Sequence, residues 1–191
     1  MKTTSTFAAV ALVATMFVAA PAAAETWSID AAHSAVLFRV KHVGVSYTWG
    51  RFRKLSGTIN VEKKANKSSV MFEIAANSVY TNWKQRDKHL MGPDFFNAKL
   101  YPTISFKSTR VRKAGKNWNV TGELSMHGKT KKVTVRMKQV GQGKGPYGKT
   151  RTGFSGKLTI KRSDFGITKF IKEKVVSDRV ELYIDLEAIL Q

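Results

Sequence analysis

Apolar and polar residues alternate with a period of two through most of this 191-residue chain. Val36, Phe38 and Val40, for example, fall on one parity, while Arg39 and Lys41 fall on the other. Successive side chains of a β-strand point to opposite faces, so this period predicts strands with one buried face. Seven segments carry the pattern: 36–40, 55–61, 70–74, 118–126, 133–137, 154–160 and 180–186.

An eighth segment, 103–112, alternates less regularly. Ile104 and Phe106 begin an apolar face, but Arg110 and Arg112 occupy the same parity. A β-bulge within this segment would switch the facing and reconcile its two halves.

Short connections separate the eight segments. Turn-forming residues cluster at 63–69, 113–117, 127–130 and 141–148, whereas 82–91 predicts a short helix with Asn82 as its N-cap. Eight antiparallel strands predict an all-β fold, an eight-stranded antiparallel barrel with a short helix in one connection. A β-sandwich stays open as the alternative, because alternation alone does not distinguish the two.

The N-terminal segment has the pattern of a secretory signal peptide. Lys2 is followed by an apolar run over 7–20 and then by small residues up to Ala24. We expect cleavage after Ala24, so that 1–24 is the signal peptide and 25–191 is one domain. The prediction is export to the periplasm, with secretion as a second destination and an uncleaved anchor as the alternative.

The chain is strongly basic and has no cysteine. Thirty-three Lys and Arg oppose thirteen Asp and Glu, which gives a net charge of +20. Such a field favours anionic partners: nucleic acid, anionic lipid head groups or acidic envelope polymers. Export disfavours chromosomal nucleic acid. A surface platform of Tyr47, Trp49, Arg51 and Arg53 is the candidate contact for an anionic polymer.

Catalytic and metal-binding patterns are weak. Asp30, His33 and Ser34 are the residue types of a catalytic triad, but His33 and Ser34 would point to opposite faces of a strand. The four histidines are scattered, without the paired spacing of a metal site. We therefore expect a protein that is not an enzyme and that uses no metal and no cofactor.

A series of short motifs, in order along residues 27–189, resembles the YceI-like family. They are Trp27-Ser28-Ile29-Asp30, His33-Ser34, Gly50-Arg51-Phe52, Arg86-Asp87, His89-Leu90, Asp94-Phe95-Phe96, Tyr101-Pro102, Gly122-Glu123-Leu124, Met126-His127-Gly128, Arg162-Ser163-Asp164-Phe165-Gly166 and Val176-Ser177-Asp178. The resemblance implies an exported, lipocalin-like barrel. It also implies an elongated cavity for an isoprenoid or another long-chain amphiphile, with no established reaction.

Seven inward residues are the candidate cavity wall. They are Val36, Phe38, Phe72, Ile74, Phe106, Leu124 and Leu158. The residues alone leave open whether such side chains line a cavity or fill the interior; the resemblance favours a cavity. Three glycines of inward parity, Gly57, Gly122 and Gly156, fit space left for a ligand and fit a strand bend equally well.

Arg86, Asp87 and His89 in the predicted helix are candidates for a head-group site or a lid. The alternative is a structural network that ties the helix to the barrel.

The predicted function is non-catalytic binding, carriage or sequestration of a long-chain isoprenoid or other amphiphilic lipid, with peripheral contact to an anionic membrane. The alternative is a surface binder of anionic polymers. An unrecognised hydrolase or isomerase acting on the lipid is a third hypothesis, which no residue pattern supports. The oligomeric state stays open.

Overall fold

The computed structural model describes residues 24–191, and these are almost entirely β-structure. Eleven strands are formed: β1 (Glu25–Ile29), β2 (Ala35–His42), β3 (Ser46–Phe52), β4 (Leu55–Val61), β5 (Ser69–Ala75), β6 (Val79–Tyr80), β7 (Thr103–Ala114), β8 (Asn117–Met126), β9 (Lys129–Lys144), β10 (Thr150–Lys161) and β11 (Val176–Leu190). The α-helix α1 (Lys84–Met91) lies between β6 and β7. Four single-turn 3-10 helices, Ala65–Lys67, Ala76–Ser78, Pro146–Gly148 and Arg162–Phe165, lie in connections.

The sheet closes on itself as an antiparallel barrel. The eleven segments make eight barrel strands, because three of these strands are each interrupted once. The two parts of an interrupted strand are β1 and β2, β3 and β4, and β5 and β6. From β7 onward each strand pairs with the next, and β11 returns to pair with β2 and β1. This confirms the predicted eight-stranded antiparallel barrel with one helix, and the β-sandwich alternative is wrong. Among residues 25–190 every strand except the two-residue β6, which pairs only with β3, has a partner on both sides, and the sheet is closed.

The seam where the barrel closes is held by side chains as well as by the ladder. The partner of β11 changes from β2 at Asp185 to β1 at Ala188, which is opposite the break between β1 and β2. Ser34 is buried in that break, and its Oγ accepts from the Glu187 backbone N–H at 2.9 Å. The hydroxyl thus replaces a ladder hydrogen bond that the break removes.

The bulge in β7 lies where the alternation changes parity. The pairing of β7 with β8 shifts register between Ser108 and Arg110, and Val111 beyond the shift is 2% exposed. The extra residue returns an apolar side chain to the interior and leaves Arg110 and Arg112 exposed.

Two local predictions are wrong. Asn82 is not the N-cap of the helix, because it adopts a left-handed backbone with φ of 63° and Trp83 occupies the cap position without a side-chain hydrogen bond. The predicted turn over 141–148 is shorter, because β9 continues to Lys144 and keeps Gly141 and Gly143 inside the strand. The glycines indicated a turn, but the long β9–β10 ladder keeps them in the strand.

The predicted signal peptide lies almost wholly in residues 1–23, outside the described residues. Within 24–191 there is no helix with the length and apolar character needed to cross a membrane.

Candidate functional site

An apolar cavity runs through the barrel interior. Its volume is about 230 Å³, just below the roughly 300–1,000 Å³ of common small-molecule pockets. Among the residues that line it, all but Ser68 and Arg162 are hydrophobic. An interior this narrow and this apolar suits one slender apolar chain better than a bulky polar molecule.

All seven residues predicted for the cavity wall lie on it. The wall includes Val36, Phe38, Phe72, Ile74, Phe106, Leu124 and Leu158. Phe72, Phe106, Leu124 and Leu158 keep part of their surface accessible, so the interior is not completely filled by side chains. The contact of these residues with a ligand stays a prediction.

The inward glycines do not leave space for a ligand. A Cβ at Gly122 would overlap the Phe106 ring and the Lys107 carbonyl, and one at Gly156 would overlap the Met137 sulfur. A Cβ at Gly57 would likewise overlap the Met71 carbonyl and press against the Phe72 ring. Neighbouring side chains therefore lie over the glycines, close to the barrel wall, and the residual space lies elsewhere along the interior.

The two polar residues of the wall already have partners. Ser68 Oγ accepts from the Glu62 N–H at 3.0 Å. The buried Arg162 guanidinium donates to the carbonyl oxygens of Ser177, Val176 and Ile167 at 3.0, 2.8 and 3.3 Å. Burial lowers the pKa of Arg162 from its usual value. Both polar groups are satisfied, so the wall favours a ligand whose polar head lies outside the cavity.

Arg86 and Asp87 of α1 both bind Thr81. The Asp87 carboxylate accepts from the Thr81 N–H at 2.7 Å and from its hydroxyl at 2.6 Å. Arg86 Nε donates to Thr81 Oγ1 at 2.7 Å, and its Nη2 donates to the Thr81 carbonyl at 2.6 Å. These bonds tie α1 to the end of β6. They have the form of the structural network, and the head-group or lid role stays a prediction.

His89 lies in an aromatic cluster at the same end of the barrel. Its Nε2 is 3.3 Å from Asp94 Oδ2, and its ring packs edge-on against Phe95 at 4.9 Å between centroids. Phe170, from the connection before β11, packs against both rings. None of Arg86, Asp87 and His89 lies on the cavity wall, whereas Leu90 and Phe95 do.

Asp30 and His33 meet, but Ser34 does not join them. His33 Nδ1 is 2.8 Å from Asp30 Oδ2, while Ser34 Oγ bonds the Glu187 backbone. The geometry therefore gives no catalytic triad. Arg151 Nη1 lies 2.7 Å from Asp30 Oδ2 and also pairs with the Glu187 carboxylate. The Arg151 guanidinium therefore supplies the positive charge between the carboxylates of Asp30 and Glu187.

The outer aromatic platform is built around a different arginine from those predicted. Arg39 stacks on Tyr47 at 4.3 Å and lies 5.5 Å from Trp49, whereas Arg53 stacks on Tyr80 at 3.7 Å. Arg39 also pairs with Glu181 at 3.1 Å. Lys157 and Arg39 together hold the pKa of Glu181 at about 2. Glu181 therefore offsets one of the two positive charges, those of Arg39 and Lys157, at the centre of the platform.

The sequence model of the YceI-like domain matches residues 27–188. The chain belongs to the YceI-like family. Among relatives, it is 41% identical over 189 residues to a Pseudomonas aeruginosa protein described as a UPF0312 protein, which covers 97% of this chain and 98% of the relative.

Solved structures share the barrel. BcnA from Burkholderia cenocepacia superposes with a TM-score of 0.76 at 31% identity, covering 83% of this chain and 98% of BcnA. A domain from Saccharophagus degradans, described as a polyisoprenoid binding domain, superposes with a TM-score of 0.65 at 18% identity, covering 86% and 98%. The second likeness shows the fold alone.

Sequence reasoning missed the parts of the YceI-like cavity wall that come from connections. Leu90, Phe96 and Ile167 line the cavity from outside the strands. Connections do not alternate, so periodicity gave no signal for them. Among the motifs, His89-Leu90 and Asp94-Phe95-Phe96 contain residues of this part of the wall, whereas no motif included Ile167.

Proposed function

We propose that this chain binds a long apolar lipid, such as a polyisoprenoid, inside its barrel and carries or sequesters it without chemical change. The observation that carries the proposal is a cavity whose wall is apolar throughout, apart from two polar groups that already have partners. Removing apolar surface from water stabilises a complex by about 25 cal/mol per Å². A slender tail along this wall would therefore bind without catalytic or polar machinery.

Two further points support the proposal. The Saccharophagus degradans domain of the same fold is described as polyisoprenoid binding. Asp30 and His33 meet without the serine that a triad needs, since the Ser34 hydroxyl is engaged by the Glu187 backbone.

The test is lipid extraction from the purified barrel, residues 25–191, followed by mass spectrometry. Leu158→Trp adds bulk at the cavity wall, and we expect a loss of co-purified lipid of tenfold or more. Thr159→Trp places the same side chain on the exposed outer face of the same strand and is the matched control. If no lipid accompanies the parent protein and no isoprenoid chain is taken up from vesicles, the proposal fails.

Salt separates this proposal from the anionic-polymer alternative. Binding to a polyanion weakens steeply as salt rises, because bound counterions are released. An apolar tail held in the cavity should remain bound between about 0.05 and 0.5 M NaCl, since its stabilisation is not electrostatic.

A further inference from the structure

Three neighbouring turns form a lysine-rich face at one end of the barrel. These are the connections β4–β5, β7–β8 and β9–β10. The Gln139 N–H of β9 donates to the Lys116 carbonyl at 2.7 Å, and Ala65 packs with the cluster around Val111 and Trp118. The exposed lysines of this lysine face are Lys63, Lys64 and Lys67, then Lys113 and Lys116, then Lys144 and Lys149.

The charge of the lysine face is not neutralised by the protein. Across residues 24–191, none of these seven lysines lies within 4.0 Å of a carboxylate. Glu62 is the one acidic residue inside the three turns, and Glu25 lies nearby at the start of β1. At the opposite end part of the charge is paired, because Asp94 there contacts both His89 and Lys169.

The lysine face also carries exposed apolar surface. Tyr147, at the tip of the β9–β10 turn, is 100% exposed, and Val140 of β9 is 68% exposed. An aromatic ring with a polar hydroxyl is suited to the boundary between lipid and water.

The cavity reaches this end of the barrel. Val61 and Val70, which flank the β4–β5 turn, lie on its wall, and so does Trp118, just after the β7–β8 turn. The Lys113 ammonium lies 4.7 Å from the centre of the Trp118 ring. One side chain therefore contacts both the lysine face and the end of the cavity.

We propose that the lysine face docks the barrel on an anionic phospholipid bilayer, with Tyr147 at the lipid–water boundary. Lysine is a compact point charge suited to a diffuse anionic surface, whereas nucleic acid recognition favours the bidentate fork of arginine. Docking at this end brings the cavity to the membrane that would supply its ligand, a step that rests on the proposed function. The proposed docking surface does not include the β9 segment around Lys131 and Lys132, which shares a shallow groove with Asp164.

The experiment measures co-sedimentation of residues 25–191 with phosphatidylglycerol–phosphatidylcholine vesicles and with pure phosphatidylcholine vesicles at low salt. The test variant is K63Q/K64Q/K67Q. The matched control is K129Q/K131Q/K132Q, which removes the same charge at the opposite end. Each lysine contributes about fivefold to partition onto an anionic surface. We expect the test variant to lose at least tenfold in partition and the control to lose less than threefold.

A second variant, Tyr147→Asn, measures what the Tyr147 ring contributes to vesicle binding. Asparagine tolerates the left-handed backbone that Tyr147 adopts at φ of 64°, so the turn should be kept. We expect a loss of threefold or more on anionic vesicles. On a mixed-sequence DNA oligonucleotide we expect weak binding that Tyr147→Asn does not change.

Equal losses for the two triple variants would overturn the proposal, because net charge rather than this face would then set the affinity. DNA binding tighter than vesicle binding would also overturn it, in favour of a polyanion surface. Lipid content by mass spectrometry keeps the two proposals apart. A barrel that retains lipid but ignores anionic vesicles refutes docking alone, and one that docks without ever containing lipid refutes the cavity function alone.

Discussion

The Phe38 ring lies directly over Gly50, its partner on the neighbouring strand. The two residues are opposite each other in the β2–β3 ladder, and a Cβ at Gly50 would overlap the ring. Gly57 and Phe72 repeat the arrangement in the β4–β5 ladder. A missing side chain on one strand thus lets a large ring on the next lie close to the wall instead of across the barrel.

Gly50→Ala should therefore narrow the cavity without placing a large side chain in it. The added methyl must displace the Phe38 ring toward the barrel axis. Overpacking of this kind costs about 1–3 kcal/mol of unfolding free energy. We expect that loss in urea unfolding, together with a fall of threefold or more in lipid uptake.

Gly153→Ala is the control for this change. A Cβ there would meet its nearest atom, in Val140, at an ordinary 3.7 Å, so stability and uptake should stay close to those of the parent. Adding Phe38→Leu to Gly50→Ala should restore uptake. If Gly50→Ala alone leaves uptake unchanged in a folded protein, the ring does not limit the cavity.

The orientation of strand residues was predictable, because period two depends only on which residues are adjacent. It gave the seven wall residues and, through Arg110 and Arg112, pointed to a bulge in β7. The glycine–ring pairs were not predictable, because they depend on which strand lies beside which and on side-chain rotamers. The seam contact of Asp30 with Arg151 joins residues 121 positions apart, and no local pattern encodes that distance.

The contact of Asp30 with Arg151 should make the unfolding free energy depend on pH in the acidic range. Hydrogen bonds from Arg151 and from His33 hold the pKa of Asp30 at about 2, below the value of about 3.9 in an unfolded chain. The folded state therefore binds this proton less readily than the unfolded state. Its contribution, about 2 kcal/mol at most, is complete above about pH 4 and is lost as the pH falls toward 2.

Asp30→Asn removes the titrating group and tests this account. In urea unfolding at pH 7 the variant should be less stable than the parent. Between pH 4 and pH 2 its stability should fall less steeply. Asp185→Asn, an exposed aspartate without an ion pair among the described residues, is the control and should follow the parent. Parallel curves for the parent and Asp30→Asn would show that Asp30 does not carry the acid sensitivity.

Asp87→Ala separates a structural role of α1 from a head-group role. It leaves the buried Thr81 N–H and hydroxyl without their acceptor, and an unpaired buried group costs about 1–3 kcal/mol. We expect that loss in unfolding free energy with an unchanged set of bound lipids by mass spectrometry. Lys88→Ala, exposed on the same helix, should change neither quantity. A changed head-group composition at full stability would favour the head-group role instead.

Export can be tested on the protein isolated from the cell envelope. The signal-peptide pattern predicts that the N-terminal residue there is Glu25, because the small residues ending at Ala24 suit a signal peptidase. N-terminal sequencing checks this directly. Recovery of an intact Met1 from the envelope would contradict cleavage, and Ala24→Pro, a poor residue next to the cut, should slow the appearance of the shorter chain.

Arg162 fastens the connection that covers one end of the cavity. Its three carbonyl partners, in Ile167, Val176 and Ser177, are brought together by a single buried guanidinium. Arg162→Met keeps the apolar stem against the cavity but leaves these acceptors unpaired, and we expect a loss of about 3 kcal/mol in unfolding free energy. Because the freed segment also lines the cavity through Ile167, amide exchange over 167–176 should quicken. Release of bound lipid to acceptor vesicles should quicken with it.

Arg179→Met removes an exposed arginine nearby and should leave all three quantities within error of the parent. Faster amide exchange with unchanged lipid release would show that lipid leaves by another route, such as the end formed by the lysine face.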